Sequence, residues 1–113
     1  MSTRNKKTDR DILEDDTEGY LVACIEALGG ECLKLRPPTG RGFPDRTCVV
    51  PDVDTFYVET KRPVGGDITI HQKRWAAKLR AAGALVFFAS TRAEVDVILE
   101  NTKQPLDSPK GVN

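Results

Sequence analysis

The sequence predicts an α/β domain with element order α-β-β-β-α-β-α, a mixed sheet flanked by helices. Three observations carry this: an apolar stripe at helical spacing opens the folded region, three short alternating segments follow, and a helix, apolar run and helix close it. At 113 residues the chain has room for one domain and one modest core.

Leu21, Val22, Ile25 and Leu28 recur at three- and four-residue spacing, and Gly29-Gly30 follows as a stop, so the first element is an amphipathic helix. ECLKLR (31–36) alternates, RTCVV (46–50) is short and β-branched, and TFYVETK (55–61) alternates again. Proline- and glycine-containing turns separate them, which predicts a three-stranded antiparallel meander. From Ile70 to Ala82 the residues Trp75, Leu79 and Ala82 form a helical stripe that Gly83 ends, and ALVFFAS (84–90) is an apolar run suited to a buried strand, giving a βαβ step. Thr91 and Glu94 have capping-box spacing ahead of Val95, Ile98 and Leu99, the apolar face of a closing helix. Residues 17–100 are the expected folded unit. Residues 1–16, of mixed charge, and 101–113, with two prolines and no periodicity, are expected to be flexible.

Seventeen basic residues balance seventeen acidic ones, so nucleic-acid binding would have to rest on a local basic patch and a bound cation. Cys24, Cys32 and Cys48 are odd in number and scattered without a CxxC pair, which indicates neither a disulfide framework nor a zinc knuckle. The charged start lacks the apolar segment of a secretory signal, and no long apolar run appears, so a soluble chain of the cytoplasm with no membrane partner is expected.

In a strand over 55–61, Glu59 and Lys61 project from one face with Tyr57, while Phe56, Val58 and Thr60 project from the other. Taken alone, a Glu-x-Lys pair is a common solvated strand face. Its setting adds weight, because Gly42-Phe43-Pro44-Asp45 leads into the preceding strand of the meander, and antiparallel return places Asp45 beside Glu59 and Lys61. Hard divalent cations such as Mg2+ take oxygen ligands, and one or two carboxylates plus substrate phosphate is their usual protein site. Asp45 and Glu59 meet that need, with the Thr60 carbonyl as a third oxygen. Such an ion activates water and neutralises charge on a phosphodiester, while Lys61 can orient or deprotonate the water and stabilise the charged phosphorus.

Glu18 falls on the apolar stripe of the first helix, where an unpartnered charge is costly. Either the helix starts near Asp15 and Glu18 completes an Asp-x-x-Glu capping box, or Glu18 is a third carboxylate of the metal site. Thr69 and Gln72 also have capping-box spacing, yet Gln72 shares a sheet-facing stripe with Trp75, Ala76 and Leu79, so both roles can apply. His71 is the sole histidine, which disfavours histidine-ligated zinc and histidine-based hydrolysis, and it reads as a helix-start surface residue. Lys34, Arg36, Arg41 and Arg46 surround the Pro-Pro-Thr-Gly-Arg-Gly loop into Asp45, placed to grip a DNA backbone, and Lys73 and Arg74 head a second basic group on the second helix with Lys78 and Arg80.

Together these residues resemble the VRR-NUC domain of the PD-(D/E)xK nuclease superfamily. The likeness rests on Glu18, Gly29-Gly30, Lys34-Leu35-Arg36, Arg41-Gly42-Phe43-Pro44-Asp45-Arg46, Glu59-Thr60-Lys61-Arg62-Pro63, and Gln72 with Trp75, Leu79 and Gly83. It implies a restriction-endonuclease-like core and Mg2+ or Mn2+ dependence. The positions Glu18, Asp45 and Glu59 would bind metal, and Lys61 and Gln72 would complete the catalytic site. Small stand-alone members are of phage or bacterial type and are similar to homodimeric resolvases of four-way (Holliday) junctions, whereas larger members cut branched or flap DNA. Thr60 departs from the family, which often has an apolar residue there. A homodimer also has a physical motive, because a sheet this small has exposed edges and a small core. The alternatives are a non-catalytic DNA-binding or partner-binding module of the same fold, or a flap-directed nuclease.

Overall fold

The computed structural model describes residues 9–62 and 65–107. Residues 1–8 and 108–113 of the expected flexible ends, and Pro63 of the family motif, lie outside them. The elements follow the expected order: α1 (Asp9–Ala27), β1 (Glu31–Leu33), β2 (Arg46–Val49), β3 (Phe56–Thr60), α2 (Ile70–Ala81), β4 (Leu85–Ala89) and α3 (Arg92–Asp107). The sheet order is β1-β2-β3-β4, with the first two pairings antiparallel and β3–β4 parallel. The meander and the βαβ step are therefore both present.

Element bounds differ from expectation for identifiable reasons. α1 begins at Asp9, because nothing between there and Gly19 breaks a helix, whereas α3 runs past residue 100 to Asp107 with Pro105 within its span. Asp15 and Glu18 consequently lie inside α1, which rules out the capping-box reading of that pair. β1 stops at Leu33 rather than running to Arg36, since its partner strand starts at Arg46 and Pro37-Pro38 offers no N–H to a ladder.

Both early helices end on glycine. The Gly30 N–H donates to the Ile25 carbonyl at 2.9 Å with Gly29 at φ 83°, and the Ala84 N–H donates to Leu79 at 2.9 Å with Gly83 at φ 96°. These are Schellman stops, for which only glycine is unstrained. At the start of α2 the Thr69 hydroxyl accepts from the Gln72 N–H while the Gln72 side chain accepts from the Thr69 N–H, a complete capping box. At α3 the Thr91 hydroxyl accepts from the Glu94 N–H, but Glu94 reaches one residue further back, to the Ser90 N–H.

Strand alternation sorts the sheet into two faces. Phe56 and Val58 point toward α1 and α3, where Leu21, Ile25, Cys48, Ala89, Val95 and Ile98 complete the core. Fully burying each large side chain there is worth about 1.5–3 kcal/mol. Tyr20 ties the two helices by donating to Asp96 at 2.6 Å, and Arg92 pairs with Asp16 while lying over the Tyr20 ring. Tyr57 points the other way, toward α2, where Phe43 makes edge contacts with both Tyr57 and Trp75 at 5.7 and 5.1 Å. On the free edge of β4, the Arg80 guanidinium donates to the Val86 carbonyl at 2.6 Å and sits near the Phe88 ring, covering part of an otherwise open edge. No helix among the described residues is long and apolar enough to cross a membrane.

Candidate active site

The β2–β3 register pairs Arg46 with Val58, so one step further on Asp45 comes opposite Glu59. At this point β2 leaves the ladder, and Asp45 closes the gap. Its N–H donates to Glu59 Oε1 at 3.0 Å, while its Oδ2 accepts from the Thr60 N–H at 3.3 Å and the Thr60 hydroxyl at 3.4 Å. The N–H and C=O of one strand residue point the same way, so the Thr60 carbonyl is directed to the Asp45 side. Thr60 also accounts for its own polarity. Its side chain is on the apolar face and buried, and its hydroxyl finds Asp45.

Gln72 joins the remaining groups. Its Nε2 donates to Glu59 Oε2 at 2.6 Å, and its Oε1 accepts from Lys61 Nζ at 3.3 Å as well as from Thr69. One side chain therefore caps α2 and holds both members of the Glu-x-Lys pair. Gln72→Ala is expected to cost about 1–2 kcal/mol through the lost cap and the unpaired groups, measurable by chemical denaturation.

The loop before Asp45 is pinned to α2. Gly42 adopts φ 89°, and a Cβ there would come within 2.5 Å of the His71 carbonyl carbon. His71 is accordingly half-buried under this loop rather than a free surface residue. The adjoining cleft, about 380 Å³, is lined by Arg36 and Arg41 together with Asp45, Glu59 and Gln72. Arg36 lies 3.6 Å from Asp45 Oδ1 and is well exposed. Lys34, Lys73 and Arg74 are exposed.

Arg46 and Glu18 are placed differently from the expected cluster. Arg46 follows Asp45 by one residue, so alternation turns it to the α1 face, where its Nε donates to Glu18 Oε2 at 2.8 Å and its Nη1 to the Cys32 carbonyl at 3.1 Å. This commits Arg46 to an internal ion pair rather than to the cleft, and it provides the partner that a charge on the α1 stripe needs. Among the described residues, no three His, Cys, Asp or Glu side chains gather closely enough to hold a metal ion by themselves. The acidic pair is Asp45 and Glu59.

Glu59 is 4% exposed. Burial, followed by the nearby Asp45 charge, pushes its carboxyl up to about 7, against the opposing pull of the Asp45 N–H and Lys61. A carboxyl raised from 4.5 to about 7 on folding binds more protons in the folded state across that window, so metal-free stability falls as pH rises through it, by about 3 kcal/mol. Denaturation in chelator from pH 5 to pH 8 should show wild type losing stability relative to Glu59→Gln by roughly that amount. Parallel curves for the two proteins would refute it.

No protein-family model and no curated protein matches this sequence. A solved structure described as a VRR_NUC domain is 31% identical to it, with a TM-score of 0.72, and the match covers 77% of this chain and 94% of that one. The chain belongs to the VRR-NUC family. Its fold is the restriction-endonuclease-like fold of this nuclease family, and the contacts among Asp45, Glu59, Lys61 and Gln72 lie at the β2–β3 parting of that VRR-NUC core. The Phe43–Tyr57–Trp75 cluster that seats the Asp45 loop is not among the groupings singled out from the sequence. The signal was there in the alternation of Tyr57 with Glu59 and in Trp75 lying one turn after Gln72.

Proposed function

We propose that this VRR-NUC domain is a divalent-cation-dependent, structure-selective DNA endonuclease that hydrolyses phosphodiester bonds, acting as a homodimer on branched DNA such as four-way junctions. The observation that carries the reading is the continuous set of contacts from Asp45 through Glu59 and Gln72 to Lys61, opening on a cleft rimmed by Arg36 and Arg41.

The donor set fits Mg2+ or Mn2+. Asp45, Glu59 and the Thr60 carbonyl offer only hard oxygens, and two adjacent carboxylates held against each other's charge favour a cation. A site with two acidic side chains leaves coordination positions for water and a DNA phosphate. When bound, the ion supplies Lewis acidity and neutralises charge developing on the phosphodiester. Asp45 and Glu59 hold that ion. Lys61, steadied by Gln72, orients the attacking water and offers its ammonium to the negative charge that develops on the phosphoryl oxygens. Arg36 and Arg41 grip backbone phosphates, with Lys34, Lys73 and Arg74 extending the basic surface. Glu18 acts at one remove, by holding Arg46 behind the Asp45 strand. One site of this size cuts one strand, so paired incisions across a branch call for a second copy.

The test incubates purified protein with Mg2+ or Mn2+ and labelled duplex, flap, splayed-arm and four-way-junction DNAs. Symmetric paired nicks at the junction are expected. Cuts confined to flaps would overturn the junction preference but keep the chemistry, and binding without cutting would overturn the enzymatic reading in favour of a DNA-binding module.

A further inference from the structure

Cys32 on β1 and Cys48 on β2 are far apart in sequence, yet the register makes them direct cross-strand partners, with both side chains on one face of the sheet. Directly opposed residues of an antiparallel pair have Cα atoms about 4.5–5.5 Å apart, inside the window of about 4.4–6.8 Å that a disulfide spans. All three cysteines are free thiols. Residues 33–47 lie between the two strand positions, and that segment carries Lys34, Arg36, Arg41 and Asp45.

We propose that Cys32 and Cys48 form an oxidative modification site, at which a peroxide converts the two thiols into a disulfide that closes the base of the loop carrying Asp45. The proposal holds whichever substrate the neighbouring cleft takes. The two thiols have unequal roles. Cys32 is half-buried, whereas Cys48 is fully buried in the core. The neighbouring Cys48 thiol, assisted by Arg46 and opposed by burial, lowers the Cys32 thiol below its ordinary value, while the Cys32 thiol and then burial raise Cys48. Cys32 is therefore the attacking thiol and Cys48 the resolving one. The Cys32 sulfur attacks one peroxide oxygen, the O–O bond breaks, and a sulfenic acid and water result. Cys48 sulfur then attacks the Cys32 sulfur and displaces a second water, which takes up the remaining thiol proton. Two thiols lose two electrons in total, and one hydrogen peroxide becomes two waters.

Closing a loop of this length stabilises mainly by restricting the unfolded chain, so the oxidised protein is expected to melt about 5 °C or more above the reduced one. The experiment treats the full chain with hydrogen peroxide, quenches, unfolds it, alkylates free thiols and reads the mass. Expected are a loss of two hydrogens, alkylation at Cys24 alone, a peptide joining Cys32 to Cys48, and reversal by a dithiol reductant. In Cys48→Ala the same treatment should instead leave a Cys32 sulfenic acid that a carbon nucleophile traps. Three alkylated thiols after treatment, linkage through Cys24, wild-type Cys32 ending mainly as an oxygen adduct, or a cross-linked protein that melts lower would each overturn the proposal.

Discussion

Replacing Asp45 with asparagine is expected to slow DNA cleavage by at least about 10³-fold, on the order of 4 kcal/mol of transition-state stabilisation. The fold should survive. Asparagine keeps the backbone N–H that Glu59 accepts from, and its side-chain oxygen can still accept from Thr60, while the lost pairing with the exposed Arg36 is worth little. Glu59→Gln should lose cleavage equally, but with a different stability signature. It removes the buried carboxyl whose proton uptake shapes the pH profile, so metal-free Glu59→Gln should hold its stability toward pH 8 where wild type weakens. Paired measurements of cleavage rate and denaturation midpoint separate the two carboxylates. Wild-type cleavage by either variant would remove that residue from the site.

Gly42→Ala carries the second large expectation. At φ 89° an alanine is strained, and its Cβ would meet the His71 carbonyl carbon at 2.5 Å, an atom fixed in the α2 backbone. The loop would have to lift. That movement takes Phe43 off Tyr57 and Trp75 and draws Asp45 away from Glu59. A cost of about 2–3 kcal/mol follows, or about 10 °C in melting temperature for a domain of this size. Because displacement of a reacting group by about 1 Å can cost 10²-fold, cleavage should fall by about that factor even at temperatures where the variant is folded. An unchanged melting temperature and rate would show that the loop is not seated on α2.

Where local chemistry decides the outcome, the sequence was readable. Gly29 and Gly83 end helices because a left-handed residue is needed there, and the Thr69-Gln72 spacing announces a cap. Alternation through β3 separated Glu59 and Lys61 from Phe56 and Val58. Other features depend on the register between distant segments. Arg46 looked like part of the loop's basic cluster because it is adjacent in sequence, although the step from Asp45 to Arg46 crosses the sheet. Cys32 and Cys48 looked scattered because the segment between them hides their pairing until β1 and β2 align. The extents of α1 and α3 were also hidden, since the charged segment before Gly19 carries no periodic apolar signal but does not oppose a helix, and Pro105 argues in sequence against the continuation that α3 makes.

The most direct measurement is a calorimetric titration of Mn2+ into the DNA-free protein at pH 8, comparing wild type with Asp45→Asn and Glu59→Gln. Saturable binding by wild type, weakened in both variants and weakened in wild type itself at pH 6 where Glu59 takes up a proton, is the expected result. Equal binding by all three proteins would contradict the assignment of a cation to Asp45 and Glu59.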